Sequence, residues 1–257
     1  MRKSLCVFVV GSLFFLAGCG DDDPTPVQCL VTKITNVLAL DGTGSLEFTY
    51  ANNQLTTITL KTDEDGVIET IPLSVTYTGN NITRLTAQRD LIVITFTYDG
   101  SNRITSLLES IDDVEFKREY SYNSNGQLSR SNFLFKDGST FVLDNYSTFT
   151  YANTTTKNPA TRMNFFQDGS TAILLNTITY EYDTNNSISK DVPVIDYLFN
   201  FTFGENNVTK ITETSPGGSS AVTNISYQYN DRNYPTRFTI SAAGDPPTTG
   251  TAEYICQ

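Results

Sequence analysis

The sequence predicts an all-β fold, an antiparallel up-and-down meander of about 16–18 strands rolled into a barrel-like sheet. Three observations predict it. A triplet of aromatic, polar and aromatic residues recurs along the chain. Turns rich in Asn and Gly separate the repeats, and no apolar stretch with a helical period extends over the length of a helix. An open sheet of this width would leave exposed edges, so we expect the strands to roll up and close.

The chain begins with the pattern of a secretory signal. Arg2 and Lys3 precede a short apolar run, which is too short to span a bilayer as a helix. The run ends in Leu16-Ala17-Gly18-Cys19, which resembles the lipobox of bacterial lipoproteins. The resemblance implies that residues 1–18 are a removable signal peptide and that Cys19 is diacylated. An ordinary signal peptide with a chance cysteine is the alternative.

Residues 19–28 are interpreted as the lipidated Cys19 and an acidic, proline-containing tether. Asp21, Asp22 and Asp23 follow almost directly, with two prolines behind them, and this composition favours an extended segment. The acidic triplet is similar to the export tag that sends some Gram-negative lipoproteins to the outer leaflet of the outer membrane. We therefore expect a lipid-anchored, surface-exposed protein of the outer membrane, with a spacer facing the periplasm as the alternative.

The composition restricts the chemistry of the chain. Its 257 residues include 17 Lys+Arg, 28 Asp+Glu and no His, for a net charge of -11. Such an acidic protein is repelled by nucleic acid, so no nucleic-acid partner is expected and membrane attachment is assigned to the N-terminal lipid. The absence of His excludes Ser-His-Asp and Cys-His catalysis and histidine metal sites. No catalytic residue, metal site or cofactor is predicted.

Two cysteines remain in the body of the protein, one near each end. Cys6 leaves with the signal and Cys19 carries lipid, so Cys29 and Cys256 are left in an oxidising compartment. A disulfide between them would hold the first and last strands side by side and needs Cα atoms within about 7 Å. Two free thiols are the alternative. Residues 29–257 are predicted to form a single repeat-built β domain.

Nine copies of the triplet mark the predicted strands. Each alternates with period two, which places Phe and Tyr on one face and mostly Thr, Ser, Gln or Glu on the other. The copies are Phe48-Thr49-Tyr50, Val75-Thr76-Tyr77, Phe96-Thr97-Tyr98, Tyr120-Ser121-Tyr122, Phe149-Thr150-Tyr151, Tyr180-Glu181-Tyr182, Phe201-Thr202-Phe203, Tyr227-Gln228-Tyr229 and Ala252-Glu253-Tyr254. Most are followed by predicted turns, among them Asp183-Thr184-Asn185-Asn186, because Asn, Asp and Gly tolerate positive φ.

One repeat carries a recognisable motif. Tyr98-Asp99-Gly100-Ser101-Asn102-Arg103-Ile104-Thr105 resembles the YD repeat of RHS-type proteins, and the copies that begin at Tyr122 and Tyr182 match it more weakly. Together with the lipobox, these repeats resemble uncharacterised Gram-negative lipoproteins. The resemblance implies a porin-like β-sheet and no established activity.

The aromatic face is predicted to point mainly into the barrel. A membrane pore would turn it outward, but the chain has no Trp for interfacial girdles and is expected to carry a lipid anchor.

Two acidic turns do not have the pattern of a calcium site or of a catalytic carboxylate pair. Placing Asp63-Glu64-Asp65-Gly66 in a calcium loop puts Lys61 and Pro72 at carboxylate positions. Asp112 and Asp113 are adjacent, so on a strand they would point to opposite faces and could not act as a glycosidase pair.

Three function classes remain. The first, which we favour, is a non-catalytic, surface-anchored binding or scaffold protein for a glycan or protein ligand, whose binding residues the sequence does not identify. The repeated tyrosines could stack on sugar rings, although periodic Tyr in a sheet is also typical of packing. The second class is a membrane-inserted β-barrel pore. The third is a hydrolase that uses carboxylates alone.

Overall fold

The fold is a closed barrel of sixteen antiparallel strands, as seen in a computed structural model of the chain. The structure describes residues 28–36, 44–64, 67–87, 91–112, 114–199 and 203–256. Its elements are β1 (Cys29–Thr35), β2 (Ser45–Ala51), β3 (Gln54–Glu64), β4 (Val67–Thr78), β5 (Asn81–Ala87), β6 (Ile92–Tyr98), β7 (Ile104–Ile111), β8 (Val114–Tyr122), β9 (Leu128–Asp137), β10 (Thr140–Tyr151), β11 (Pro159–Asp168), β12 (Thr171–Asn186), α1 (Val194–Phe199), β13 (Asn206–Thr214), β14 (Ser220–Tyr229), β15 (Pro235–Ala242) and β16 (Thr248–Cys256). Each strand pairs with its neighbours in sequence, and β16 pairs with β1. The predicted all-β rolled meander is confirmed.

A disulfide joins the first and last strands. Cys29 and Cys256 are register partners in the β1–β16 pair and are bonded, with their Cα atoms 4.0 Å apart. The predicted pairing is confirmed, and it lies where the barrel closes. Cys19 and residues 1–18 lie outside the described residues, so the signal peptide and the lipid anchor stay predictions.

The barrel has two different ends. We call one the turn end: it carries the turns that follow β2, β4, β6 and the later even-numbered strands, together with both cysteines and α1. We call the other the hairpin end: it carries the connections that follow β3, β5, β7 and the later odd-numbered strands. Gln28 precedes β1, so the described chain starts at the turn end.

Side chains alternate between a packed interior and a polar outer wall. Leu46, Ile58, Leu85 and Leu107 point inward and are 0% exposed, and the same core cluster includes Phe48, Phe96 and Phe149 of the aromatic triplets. The predicted inward direction of the aromatic face is therefore observed. Residues of opposite parity form the outer wall and are mostly polar, but on β10–β12 they include Tyr146, Phe165 and Leu174. On the outer wall Lys33 and Lys61 both pair with Glu47, at 3.4 and 2.9 Å, and these lysines hold the pKa of Glu47 below its usual value.

A tyrosine hydrogen bond recurs through the barrel and explains why most triplets end in Tyr; in Tyr227-Gln228-Tyr229 the first Tyr makes the bond. On each even-numbered strand one Tyr hydroxyl donates to a carbonyl near the start of the preceding odd-numbered strand. The donor and acceptor oxygens lie 2.6–3.1 Å apart in the pairs Tyr50–Val31, Tyr77–Leu55, Tyr98–Ile82, Tyr122–Ile104, Tyr151–Leu128, Tyr182–Pro159, Tyr227–Val208 and Tyr254–Pro235. The hydroxyl thus satisfies a carbonyl at the turn end that lies inside the barrel.

The repeat pattern was misleading between β12 and β13. The predicted turn Asp183-Thr184-Asn185-Asn186 belongs to β12, which runs on to Asn186. The Asp183 carboxylate accepts hydrogen bonds from the backbone N–H groups of Asn185 and Asn207. Because Asn207 belongs to β13, Asp183 links β12 to β13 and is not part of a hairpin turn. Phe203 of the seventh triplet lies outside the strands with φ 54; residues 201 and 202 lie outside the described residues.

One glycine supports a close approach between strands, and its replacement gives a stability prediction. A Cβ on Gly250 would lie 2.1 Å from Phe238 Cζ and 2.5 Å from the backbone oxygen of Thr35. We expect Gly250→Ala to lower the free energy of unfolding by about 1–3 kcal/mol, because the buried ring must move. The control is Gly217→Ala, where the new Cβ meets nothing within 4 Å. Equal urea midpoints for the two variants would contradict this view of β15–β16 packing.

Candidate functional site

A short helix lies inside the bore at the turn end. The segment between β12 and β13 folds inward, and α1 places Val194 and Ile195 in the barrel core, where Ile195 is 0% exposed. Val192, just before the helix, belongs to the same core cluster. A helix that is apolar on more than one side is stable where it is surrounded by protein. The helix therefore occupies part of the bore at this end.

An arginine on the barrel wall holds the end of this plug helix. Nη1 of Arg118 on β8 donates to the carbonyl oxygens of Tyr197 and Leu198 at 3.1 and 3.4 Å and lies 3.1 Å from the Glu109 carboxylate. A cation is favourable beside the last carbonyls of a helix. Burial raises the pKa of Glu109, and the neighbouring Arg118 opposes that rise. The hydroxyls of Tyr122 and Tyr197 are 2.9 Å apart and add a second link.

The plug leaves a cavity beside it, which we call the turn-end cavity, with a volume of about 380 Å³. That volume lies in the usual range for sites that bind small molecules. Part of its lining is aliphatic. The rest combines tyrosines of three successive repeats with asparagines of the turns that follow them. The polar and aromatic lining residues are Gln28, Tyr50, Asn53, Tyr77, Asn80, Asn81, Tyr98, Asn102, Arg103, Asp191 and Tyr197.

The cavity presents neutral groups in fixed positions. Hydrogen bonds to carbonyls fix the hydroxyls of Tyr50, Tyr77 and Tyr98, and burial raises the pKa of Tyr98 to about 12. These phenols are therefore protonated at physiological pH. The Asn81 amide donates to Asn102 Oδ1 at 3.2 Å, which links two neighbouring turns across the rim.

The two charged side chains of the lining, Arg103 and Asp191, already interact with other side chains of the protein. Arg103 Nη2 lies 2.6 Å from Asp99 Oδ2, and the guanidinium also lies over the Tyr122 ring at 4.6 Å. Asp191 accepts a hydrogen bond from the Tyr234 hydroxyl. A ligand for this cavity should therefore be polar, uncharged and in part flat or apolar, so that it matches amides, hydroxyls and ring faces.

A single hydroxyl tests the recurring tyrosine bond. Tyr77→Phe should lower the free energy of unfolding by about 1 kcal/mol, because it leaves the half-buried Leu55 carbonyl without its donor. Thr76→Val, on the exposed outer wall beside it, should change stability by less than about 0.5 kcal/mol. Equal losses for both variants, measured by urea unfolding, would contradict the assignment.

A second cavity of about 570 Å³ lies on the other side of α1. Its wall includes Ser189, Lys190, Asp196 and Gly204. Asp196 is buried in the plug, and desolvation raises the pKa of its carboxyl to about 7, against a smaller opposing effect of the Ser189 hydrogen bond. The plug thus holds a carboxyl group that titrates near neutral pH.

The structure describes only part of the two acidic turns identified in the sequence. Asp112 lies in the hairpin-end turn between β7 and β8, is exposed and has φ 47; Asp113 lies outside the described residues. Asp63 and Glu64 belong to β3, which ends at the same end of the barrel. In the part of the chain that the structure covers, no three His, Cys, Asp or Glu side chains are grouped so as to hold a metal ion. No helix there is long and apolar enough to cross a bilayer.

The sequence analysis missed the residues that the plug contributes. Asp191, Val192 and Tyr197 line the turn-end cavity but belong to no repeat. The signal that could have identified this segment is the long interval without a regular turn between Asn186 and Asn206, where the repeat spacing fails.

Comparison with known proteins supports the barrel. No protein family model matches the chain, and no curated protein matches it. A crystal structure of a porin-like protein from Bacteroides uniformis matches with a TM-score of 0.56 and 14% identity, over 90% of this chain and 96% of that one. A porin-like protein from Bacteroides vulgatus matches with a TM-score of 0.50 and 11% identity, over 89% and 99% of the two chains. At these identities the likeness shows the fold alone, and the YD-repeat resemblance stays a prediction.

Proposed function

We propose that this chain is a lipid-anchored binding protein of the outer membrane, displayed at the cell surface, which holds a neutral, sugar-sized ligand in the turn-end cavity. One observation carries the proposal. Tyrosines from three successive repeats and asparagines from the adjoining turns meet in one cavity of about 380 Å³. Tyrosine rings stack on the C–H faces of sugars, and amides both donate to and accept from hydroxyls.

The chemistry of the cavity favours binding over catalysis. A glycosidase that relies on carboxylates needs two of them, roughly 5–9 Å apart, on either side of the bond that is cleaved. Among the described residues the cavity lining has a single carboxylate, Asp191, which is hydrogen-bonded to the Tyr234 hydroxyl. We therefore propose a non-catalytic role.

A membrane pore is the second candidate, and the porin-like neighbours are the observation that favours it. Two features of this chain favour the binding role instead. α1 lies inside the bore at the turn end and occupies part of it. The outer wall carries apolar side chains such as Phe165 on β10–β12, but it has ion pairs such as Lys210–Glu181 at 2.8 Å elsewhere. The outer wall of a membrane barrel carries an apolar band all around it.

The proposed anchor is compatible with an accessible cavity. Gln28 lines the turn-end cavity, so the tether begins at its rim. If residues 19–28 are extended, they separate the lipid from the barrel by up to roughly 30 Å. That distance leaves room for a small ligand to enter between the barrel and the membrane.

Replacement of the proposed lipid site tests the anchor. Cys19→Ala should move the protein from the membrane fraction to the soluble fraction, because the acidic body offers no electrostatic attraction to anionic lipid. Protease added to intact cells reports whether the anchored protein faces the medium. Unchanged membrane association of the variant would contradict lipidation at this residue.

Calorimetric titration tests the cavity. Neutral monosaccharides and disaccharides are titrated into the mature Cys19→Ala protein in detergent-free buffer. We expect Asn81→Ala to weaken binding by about 2–12-fold, the effect of one lost hydrogen bond. The matched control is Asn125→Ala, in an exposed turn away from the cavity. Failure of the folded protein to bind any of these sugars, or equal effects of both substitutions, would contradict the proposed site.

A further inference from the structure

The inner wall of β9–β12 carries two parallel rows of side chains near the hairpin end. In each row the residues on neighbouring strands are direct register partners. By the strand register they lie on the same face of the sheet as Phe149, a core residue on β10, so they face the bore. The polar row is Ser131, Ser147, Asn164 and Asn176. The second row, one step nearer the hairpin end, is Phe133, Asn145, Phe166 and Ile173; we call it the apolar row because three of its four members are apolar. We call the two rows together the mouth wall.

Hydrogen bonds hold the polar row in place. The Ser147 hydroxyl and Asn164 Oδ1 are 2.7 Å apart, and the Asn164 amide donates to Asn176 Oδ1 at 2.6 Å. Arg162, on the same strand as Asn164, donates from Nε to Asn164 Oδ1 in the middle of the row, and the Asn176 amide at the β12 end donates to Glu213. Asn164 Oδ1 already accepts from both Ser147 and Arg162, and Ser147 is buried. A ligand would therefore contact the row through the second N–H of Asn164 and through the second N–H and second carbonyl lone pair of Asn176.

Two members of the apolar row are open to solvent, unlike the core residues on the opposite side of the interior. Phe166 is 39% exposed and Ile173 is 45% exposed, whereas Leu46 and Leu107 are 0% exposed. Phe135 and Val142, which pair with each other still nearer the hairpin end, are 37% and 40% exposed. Large side chains that face inward but stay exposed line an open mouth and are available to a ligand.

The charge and the spacing of the mouth wall define what fits it. Arg162 contacts the middle of the polar row and Glu213 contacts its β12 end. These two opposite charges balance each other, so an uncharged ligand is favoured. Neighbouring strands are about 4.8 Å apart, so four residues span roughly 14 Å across the strands. An extended peptide repeats at about 3.3 Å per residue and points successive side chains to opposite faces. Its repeat therefore does not match the spacing of about 4.8 Å between the residues of each row.

We propose that the mouth wall binds a linear, neutral oligosaccharide that lies across β9–β12. Successive sugar rings would follow successive strands, about three to four rings in all at a strand spacing of about 4.8 Å. Their hydroxyls contact the polar row, and their C–H faces pack on Phe133 and Phe166. This site lies at the opposite end of the barrel from the turn-end cavity and is independent of it.

The test is a length series. Linear glucose oligosaccharides of one to six rings are titrated into the mature Cys19→Ala protein. Affinity at the mouth wall should rise with length up to about four rings and then level off, because about four strands offer contacts. Phe166→Ala should weaken binding of the longer sugars about tenfold, the effect of losing one stacking contact.

The matched control is the next residue on the same strand. Phe165 points to the outer wall, where it stacks on Tyr146 with ring centroids 4.8 Å apart, and Phe165→Ala should leave sugar affinity unchanged. Asn176→Ala is a smaller change and should also weaken binding of the long sugars. It serves as the test variant if Phe166→Ala folds poorly. Equal effects of Phe165→Ala and Phe166→Ala, or affinity that does not depend on length, would overturn the mouth-wall site. Asn81→Ala reports on the turn-end cavity separately, through the monosaccharides.

Discussion

Loss of the disulfide should lower the free energy of unfolding more than any other single change considered, by up to about 5 kcal/mol. Cys29 and Cys256 are 227 positions apart in sequence, so their bond removes a very large loop from the unfolded ensemble. It also holds β1 against β16, the pair that closes the barrel. The measurement is urea unfolding of the Cys29→Ser/Cys256→Ser protein beside the oxidised wild type.

Reduction provides the control for that experiment. Dithiothreitol should lower the urea midpoint of the wild type towards that of the double Ser variant and should leave the variant unchanged. The β-sheet signal in circular dichroism should persist in water, because the backbone pairing of β1 with β16 does not need the bond. Equal midpoints for oxidised and reduced wild type would contradict a closing role for the disulfide.

Stability should also depend on pH through the plug. Burial raises the pKa of Asp196 from 3.8 to about 7, so the folded state favours the neutral acid. Below about pH 4 both states carry the proton. As the pH rises towards 7, the unfolded chain releases this proton while the folded chain keeps it, so stability falls. Above about pH 7 the loss is complete, at roughly 4 kcal/mol.

Asp196→Asn should remove this dependence, since the amide is neutral at every pH and has nearly the same shape. The variant should match the wild type near pH 4 and exceed it by a few kcal/mol near pH 8 in urea unfolding. Asp168→Asn, at the exposed end of β11, controls for the loss of a carboxylate. A variant less stable than the wild type at both pH values would show that the ionised carboxylate is needed in the plug.

The strands could be predicted because their signal is local. In Phe48-Thr49-Tyr50 the alternation gives the strand and its buried face, and the structure has both. The disulfide could be predicted because processing was expected to leave Cys29 and Cys256, and a closed meander brings them together. The mouth wall was not predicted, because whether Phe166 is buried or exposed depends on how far the core extends inside the barrel.

The plug and the turn-end cavity could not be predicted for a different reason. α1 has six residues, too few to show a helical period, and its stability comes from burial inside the barrel. The positions of Tyr197 and Asp191 in the cavity follow from that burial. The segment near Asn186 misled the repeat pattern because its Asp and Asn side chains link β12 to β13, while the same residue types form turns elsewhere.

The central claim is that this barrel binds ligands and does not conduct ions. Conductance across a planar lipid bilayer, recorded with the purified, disulfide-bonded protein, tests it most directly. The account predicts no conductance steps at protein concentrations where a bacterial porin gives them, because α1 and the core residues packed against it obstruct the bore at the turn end. Stepwise ion conductance by this protein would contradict the account and assign the fold to a pore.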